Sequence, residues 1–180
     1  MRFTPLSLLG AYEVSLDRRE DARGFFARIF CEQEFEQAGL NTRWVQMNMS
    51  HSNAKGTVRG MHFQHEPASE VKLVRCLHGE VWDAIVDLRL GSDSYGQYCA
   101  VNLKAVTGNA IYIPKGFAHG FQTLTADAEL QYFHSAAYAP DHEGGINPFD
   151  SDLGIDWPMP AKSVSDRDRG LPGLADVSAL

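Results

Sequence analysis

VKLVRCLHGEVWDAIVDLRL, residues 71–90, sets the fold class. Its apolar residues alternate on either side of His78-Gly79-Glu80, so the stretch reads as two β runs hinged at that glycine. Working outward, short β candidates recur at 98–103, 109–113, 120–124 and 129–134, each bounded by turn residues. Helical periodicity is scarce. The best candidate is CEQEFEQA, residues 31–38, ahead of Gly39, a residue suited to the left-handed conformation that ends helices. From Asp156-Trp157-Pro158 onward the alternation stops, and loops with one short helix are expected. No repeat, low-complexity tract or linker divides the chain. Many short strands in one unit predict an all-β sandwich, barrel or jelly roll.

The 180 residues suit one compact domain, and 44% hydrophobic with 22% charged residues supports a packed core. A formal charge of −7 argues against nucleic-acid binding, which needs a basic footprint. It leaves room for a small anionic substrate, because a few local arginines can outweigh the total. The opening MRFTPLSLLGAYEV carries one basic residue and no long apolar run, so neither a leader nor a membrane association is expected. Cys31, Cys76 and Cys99 form no C-x-x-C pair and read as buried thiols of a cytoplasmic protein.

Two glycine-histidine blocks carry the chemistry. The first runs from GTVRGMHFQ (56–64) to Gly79, and the second is GNAIYIPKGFAHGFQT (108–123). The second has the spacing G-x5-P-x-G-x2-H-x3-T and resembles the second motif of the cupin superfamily, with Thr123 where Asn is usual. The first resembles the other cupin motif at Gly56-x5-His62 and Lys72-x6-Gly79. The resemblance implies a double-stranded β-helix, a jelly-roll barrel with short peripheral helices and a pocket in its mouth. It implies one cupin domain over 1–180, with a core barrel at about 40–140 and a segment 141–180 completing the active site. In a metal-binding cupin the four ligand positions would hold His, His, Glu and His; here they hold His62, Gln64, Lys72 and His119. A protonated ammonium cannot ligate a cation and an amide is a poor transition-metal ligand, so no metal and no other cofactor are expected. Lys72 can instead supply the positive charge for a developing oxyanion, leaving His62 free as a base. His51, His65, His78, His134 and His142 are read as exposed or hydrogen-bonded residues without a catalytic role.

At VRGMHFQ the likeness narrows: the chain resembles the dTDP-4-dehydrorhamnose 3,5-epimerase family of nucleotide-sugar epimerases. The matching pieces run in order through Arg23-Gly24-Phe25-Phe26, Gln46-Met47-Asn48-Met49-Ser50, KLVRCLHGEVWDAIVDLR and IPKGFAHGFQTL. They continue through Tyr132, Tyr138-Ala139-Pro140, Glu143-Gly144, Ile155-Asp156-Trp157-Pro158 and Ser165-Asp166-Arg167-Asp168. The resemblance implies His62 as catalytic base paired with Asp168, Tyr132 as proton donor, His119 paired with Asp83, and Lys72 beside a keto oxygen. It implies substrate contacts at Arg23, Phe26, Gln46, Asn48, Arg59, Tyr138, Glu143 and Arg167, together with Lys72 and His119. A homodimer whose N-terminal strands pack across the partner sheet is implied as well.

The expected activity is inversion of C3, C5 or both in a nucleotide-linked 4-keto-6-deoxy sugar, with the dTDP-linked sugar as the leading substrate. Arg28 stands where the family commonly has Glu near the nucleoside, which exchanges an acceptor for a donor and opens the nucleobase preference. Ala136-Ala137 and Asn147-Pro148-Phe149 also depart from the common pattern. A single-centre epimerase, a sibling using another nucleotide, and a sugar-binding or metal-dependent cupin are the alternatives.

Overall fold

The structure, a computed structural model, describes residues 1–180. The first half of the chain forms β1 (Arg2–Pro5), β2 (Tyr12–Ser15), β3 (Arg18–Asp21), β4 (Gly24–Ala27), α1 (Glu32–Gln37), β5 (Gln46–Ser52), β6 (Val58–Gln64), β7 (Lys72–His78) and β8 (Glu80–Asp87). The second half adds β9 (Tyr98–Lys104), β10 (Ala110–Ile113), β11 (Phe117–Thr123), β12 (Ala128–His134), β13 (Glu143–Gly145) and α2 (Asp166–Arg169). One sheet has the order β1-β2-β10-β7-β12-β5 and the other β13-β6-β11-β8-β9, while β3 and β4 form a separate hairpin. The pairings are antiparallel throughout. The result is the expected all-β jelly roll.

Period-two geometry explains the core. Val74, Cys76, Ile111 and Leu130 of the six-stranded sheet meet Val81, Ile85, Leu103 and Phe121 of the five-stranded sheet in one apolar cluster. Alternate residues point outward and are covered as well. Leu73, Tyr112 and Phe133 pack under α1 through Phe35, which is completely buried. Burial of that ring contributes roughly 1.5–3 kcal/mol. Behind the other sheet, Met61, Phe63, Ala84 and Val86 pack against Ile146, Leu153 and Trp157. Trp157 meets Trp82 edge-on at 5.2 Å between ring centroids. Two-sided cover is why β11 (FAHGFQT) is buried at every position rather than alternating.

The helix expected at 31–38 is present at Glu32–Gln37, and Gly39 takes φ +70° after it. The β hinge falls at Gly79 as expected, at φ +76°. Strand β11 begins at Phe117, three residues before the expected 120–124, because its cover hides the period. The sheets also draw in β1 and β2 ahead of the anticipated 40–140 core and β13 after it. Strands of three or four residues are too short to display a period, so these carry little sequence signal. Cys76 is buried and its thiol is pushed up to about 11 by burial, whereas Cys31 and Cys99 are half-buried; all three are free. No helix is long and apolar enough to cross a membrane.

Two glycines set the spacing of the inner-face histidines. Strands β6 and β11 approach so closely that a Cβ at Gly60 would lie 2.5 Å from Gly120 Cα, and Gly60 sits at φ +125°. His62 and His119 are direct cross-strand partners beside this contact, and the register shifts between His119 and Phe121. The glycines of VRGMH and AHGF thus place two imidazoles side by side on the inner face.

Candidate active site

The inner face is apolar where β7 contributes Val74 and Cys76, and polar where it contributes Lys72. There the sheets part around an open cavity of about 330 Å³. His62, Gln64 and His119 enter it from the five-stranded sheet; Asn48, Ser50, Lys72, Tyr132 and His134 enter from the six-stranded sheet.

His62 is paired with a carboxylate delivered from far along the chain. Its Nε2 lies 2.8 Å from Oδ1 of Asp168, a residue only 4% exposed. The other carboxylate oxygen accepts from the Gly60 backbone N–H at 3.2 Å. Ser165 caps α2 by accepting from the Asp168 N–H at 3.0 Å, which holds Asp168 at the start of its short helix. Burial lowers the His62 pKa below the ordinary histidine value, and the neighbouring Asp168 only partly opposes it. His62 is therefore poised as a neutral imidazole with Nδ1 left to accept a proton.

His119 repeats the arrangement one strand away. Its Nε2 lies 3.0 and 2.9 Å from the two oxygens of the fully buried Asp83, whose carboxyl is pushed up by burial. Tyr132 stands in the opposite sheet, its hydroxyl 2.9 Å from Ser50 Oγ and its ring edge-on to His119 at 6.2 Å. Burial drives the phenol pKa far up, so Tyr132 is protonated across the physiological range. Lys72 is 8% exposed; its Nζ lies 3.3 Å from Glu70 Oε1 and donates weakly to the His62 carbonyl at 3.5 Å.

The four cupin ligand positions do not suit a cation. Gln64 donates to the carbonyls of Ala68 and Ala137 at 2.9 and 3.3 Å and accepts from Ala139 N–H at 2.7 Å. Its amide therefore anchors the loop after β12, and Lys72 holds an ammonium against Glu70. Only two imidazoles remain, each already tied to a carboxylate.

The residues expected to contact a nucleotide divide into two groups. Asn48, Arg59, Tyr138 and Glu143 line the cavity. Gln46 joins them by donating to Asn48 Oδ1 at 3.2 Å and accepting from Tyr138 N–H at 2.9 Å. Arg167 is 2.8 Å from Glu143, which also accepts from the Tyr138 hydroxyl at 2.9 Å. Arg59 is held by the His51 carbonyl at 2.9 Å. Arg23, Phe26 and Arg28 are different: within one chain they do not reach this cavity. Arg23 and Phe26 belong to the β3–β4 hairpin, which pairs with neither main sheet, and Phe26 is 73% exposed. Arg23 lies 2.7 Å from Asp21 and Arg28 lies 2.7 Å from Glu34.

Comparison with known proteins agrees with this fold. The profile of the dTDP-4-dehydrorhamnose 3,5-epimerase family matches residues 5–176. The chain belongs to this family. A dTDP-4-dehydrorhamnose 3,5-epimerase of Sinorhizobium fredii is 38% identical over 98% of this chain and 91% of its own length. A dTDP-4-dehydrorhamnose 3-epimerase of Streptomyces niveus is also 38% identical, over 98% of this chain and 86% of its own. Among solved structures, the Legionella pneumophila dTDP-6-deoxy-D-glucose-3,5-epimerase in complex with dTDP-4-keto-L-rhamnose superposes with a TM-score of 0.92. It is 36% identical, and the match covers 98% of this chain and 94% of that one.

In this family member, sequence reasoning misses three polar cavity residues: Ser50, Glu70 and His134. The pattern places His134 with the exposed or hydrogen-bonded histidines, yet it lines the cavity with Glu70 and Ser50. The signal that could have found them is the period of two: Ser50 follows Asn48, Glu70 precedes Lys72 and His134 follows Tyr132 by two residues each. A step of two residues from each known position reaches all three, along a strand for Ser50 and His134 and just ahead of β7 for Glu70.

Proposed function

We propose that this epimerase-family chain converts dTDP-4-dehydro-6-deoxy-D-glucose into dTDP-4-dehydro-L-rhamnose. The carrying observation is that the His62–Asp168 pair and protonated Tyr132 enter one cavity from opposing sheets, with Lys72 between the same walls. A C4 carbonyl acidifies the hydrogens at C3 and C5. Neutral His62 removes one as general base, and Asp168 stabilises the imidazolium that forms. The electron pair moves onto the keto oxygen, where Lys72 and His119 stabilise the enolate. Tyr132 then returns a proton to the opposite face, inverting the centre. Its raised pKa keeps Tyr132 in the protonated form that an acid needs.

Arg59, Gln46, Asn48, Tyr138, Glu143 and Arg167 are assigned to the nucleoside diphosphate. Arg23, Phe26 and Arg28 reach a cavity only if the exposed hairpin is presented to a second copy, so we assign the working form as a homodimer. The chain acts as one domain, in which the segment after 141 contributes Asp168. Three free thiols fit a cytoplasmic enzyme. Inversion at one centre is the second reading, because the Streptomyces niveus 3-epimerase is as similar to this chain as the Sinorhizobium fredii 3,5-epimerase.

Incubation with dTDP-4-keto-6-deoxyglucose in heavy water, followed by proton NMR, tests the proposal. Deuterium at C3 and C5 with rhamno-configured product is expected; label at one position selects the second reading. Absence of label with this and other nucleotide-linked versions would sink both.

The acid limb of kcat/KM carries its own prediction. Because burial lowers the His62 pKa, that limb should lie below about pH 6.5, with activity rising as His62 loses its proton. Asp168 raises that pKa, so Asp168→Asn should move the limb to still lower pH while reducing the plateau roughly 100-fold. A limb displaced toward higher pH would contradict the assignment of His62 as the base.

A further inference from the structure

Glu70 sits between an ammonium and an imidazole, and the proposed reaction leaves it and His134 without a task. Its Oε1 faces Lys72 Nζ at 3.3 Å, and its Oε2 accepts from His134 Nδ1 at 2.7 Å. The side chains of Glu70, Lys72 and His134 are 8%, 10% and 12% exposed, so water does little to screen or replace these contacts. The remaining imidazole nitrogen, Nε2, lies 3.4 Å from the Asn48 amide nitrogen. An amide N–H is a donor, so the network assigns His134 as the tautomer that donates from Nδ1 and accepts at Nε2. The ring also stacks on Tyr132, with centroids 6.1 Å apart and planes 20° from parallel. Burial pushes the Glu70 carboxyl up, but the His134 hydrogen bond and the Lys72 charge together hold it below its usual value.

We infer that His134 is a positioning residue for Lys72: by occupying one Glu70 oxygen, it keeps the carboxylate from closing on the ammonium and so leaves that ammonium directed at the substrate. This rests on Lys72 serving the keto oxygen. The physical reason is the freedom of a lysine. An ammonium on a four-carbon stem follows the nearest carboxylate, and a buried carboxylate with an unpaired oxygen turns to satisfy it. Without His134, both Glu70 oxygens become available to Lys72, and the ammonium moves toward Glu70 and away from the enolate. The loss therefore falls on the transition state, which needs the charge, more than on the bound substrate.

The experiment compares wild type with His134→Leu, His134→Asn and Glu70→Gln in steady-state turnover. His134→Leu is expected to lower kcat roughly 10- to 50-fold while KM changes less than about 3-fold. His134→Asn presents an amide N–H near the position of imidazole Nδ1 and should recover most of the loss. Glu70→Gln removes the counter-charge that orients Lys72, so it should also lower kcat, and the His134→Leu/Glu70→Gln double variant should be no worse than the poorer single. Wild-type kcat in His134→Leu, a His134→Asn variant no better than the leucine, or additive losses in the double variant each overturn the inference. Crystal structures of wild type and His134→Leu test it without turnover: Lys72 Nζ drawn onto both Glu70 oxygens supports it, and an unmoved Lys72 refutes it. Wild type that neither exchanges nor inverts the sugar would instead overturn the epimerase reading, while leaving the crystallographic comparison decisive for the Glu70 contacts.

Discussion

His62→Ala should remove solvent exchange at C3 and C5 together, lowering the rate by roughly 10³- to 10⁴-fold, near the upper range for loss of a general base. His62 has a pKa lowered by burial and a carboxylate partner that also takes a backbone N–H. His119 makes the same kind of contact, its Nε2 shared between both oxygens of the fully buried Asp83. Alanine also leaves the buried Asp168 without its imidazole partner, which costs stability. His62→Gln separates the two effects, because its amide can still donate to Asp168 but has no basic nitrogen. Both variants should lose exchange, whatever their melting temperatures. Exchange near the wild-type rate in a folded His62→Gln protein would transfer the base role to another group.

Tyr132→Phe should split the reaction into its halves. Proton removal by His62 continues, so deuterium still enters the sugar, returned to the face it left. Inversion falls by roughly 10²- to 10³-fold, because no acid remains on the opposite side. The observable is labelled sugar of unchanged configuration. The variant also frees Ser50 Oγ, which loses its 2.9 Å partner; a Ser50→Ala control measures that effect alone. Equal loss of exchange and inversion in Tyr132→Phe, with Ser50→Ala near wild type, would show that Tyr132 is not a dedicated acid.

Arg28 remains the clearest departure from the family pattern. In one chain it pairs with Glu34, which also meets the amino group of Met1, so its guanidinium is engaged beside the hairpin rather than free. Its exposed position suits a group presented to a second copy, but not a contact in its own cavity.

Most of the inner face was legible locally. A strand reverses side-chain direction every residue, so one secure position such as Lys72 orients Val74 and Cys76 without any tertiary information. The close approach that the glycines of VRGMH and AHGF allow belongs to the tertiary structure, because it needs β6 and β11 paired. Where locality ended, so did the reading. The β1–β4 segments were too short to show a period, and β11 lost its alternation because both its faces are covered. His134 read as one exposed or hydrogen-bonded histidine among several: alternation in QYFHS puts it on the face of Tyr132, but only the paired sheets show that this face continues as a cavity wall.

Residue types, strand faces and family membership thus follow from order along the chain, because each depends on neighbours a few positions apart. Partnership does not. His62 meets Asp168 across 106 positions and His134 meets Glu70 across 64, and each contact depends on how strands pair and where the C-terminal segment packs. The same holds for the hairpin: its arginine and phenylalanine matched the family by sequence, and only the separate β3–β4 pairing shows that they stand outside their own cavity. Chain order supplies the groups for a proton transfer, whereas sheet register decides which groups share a proton.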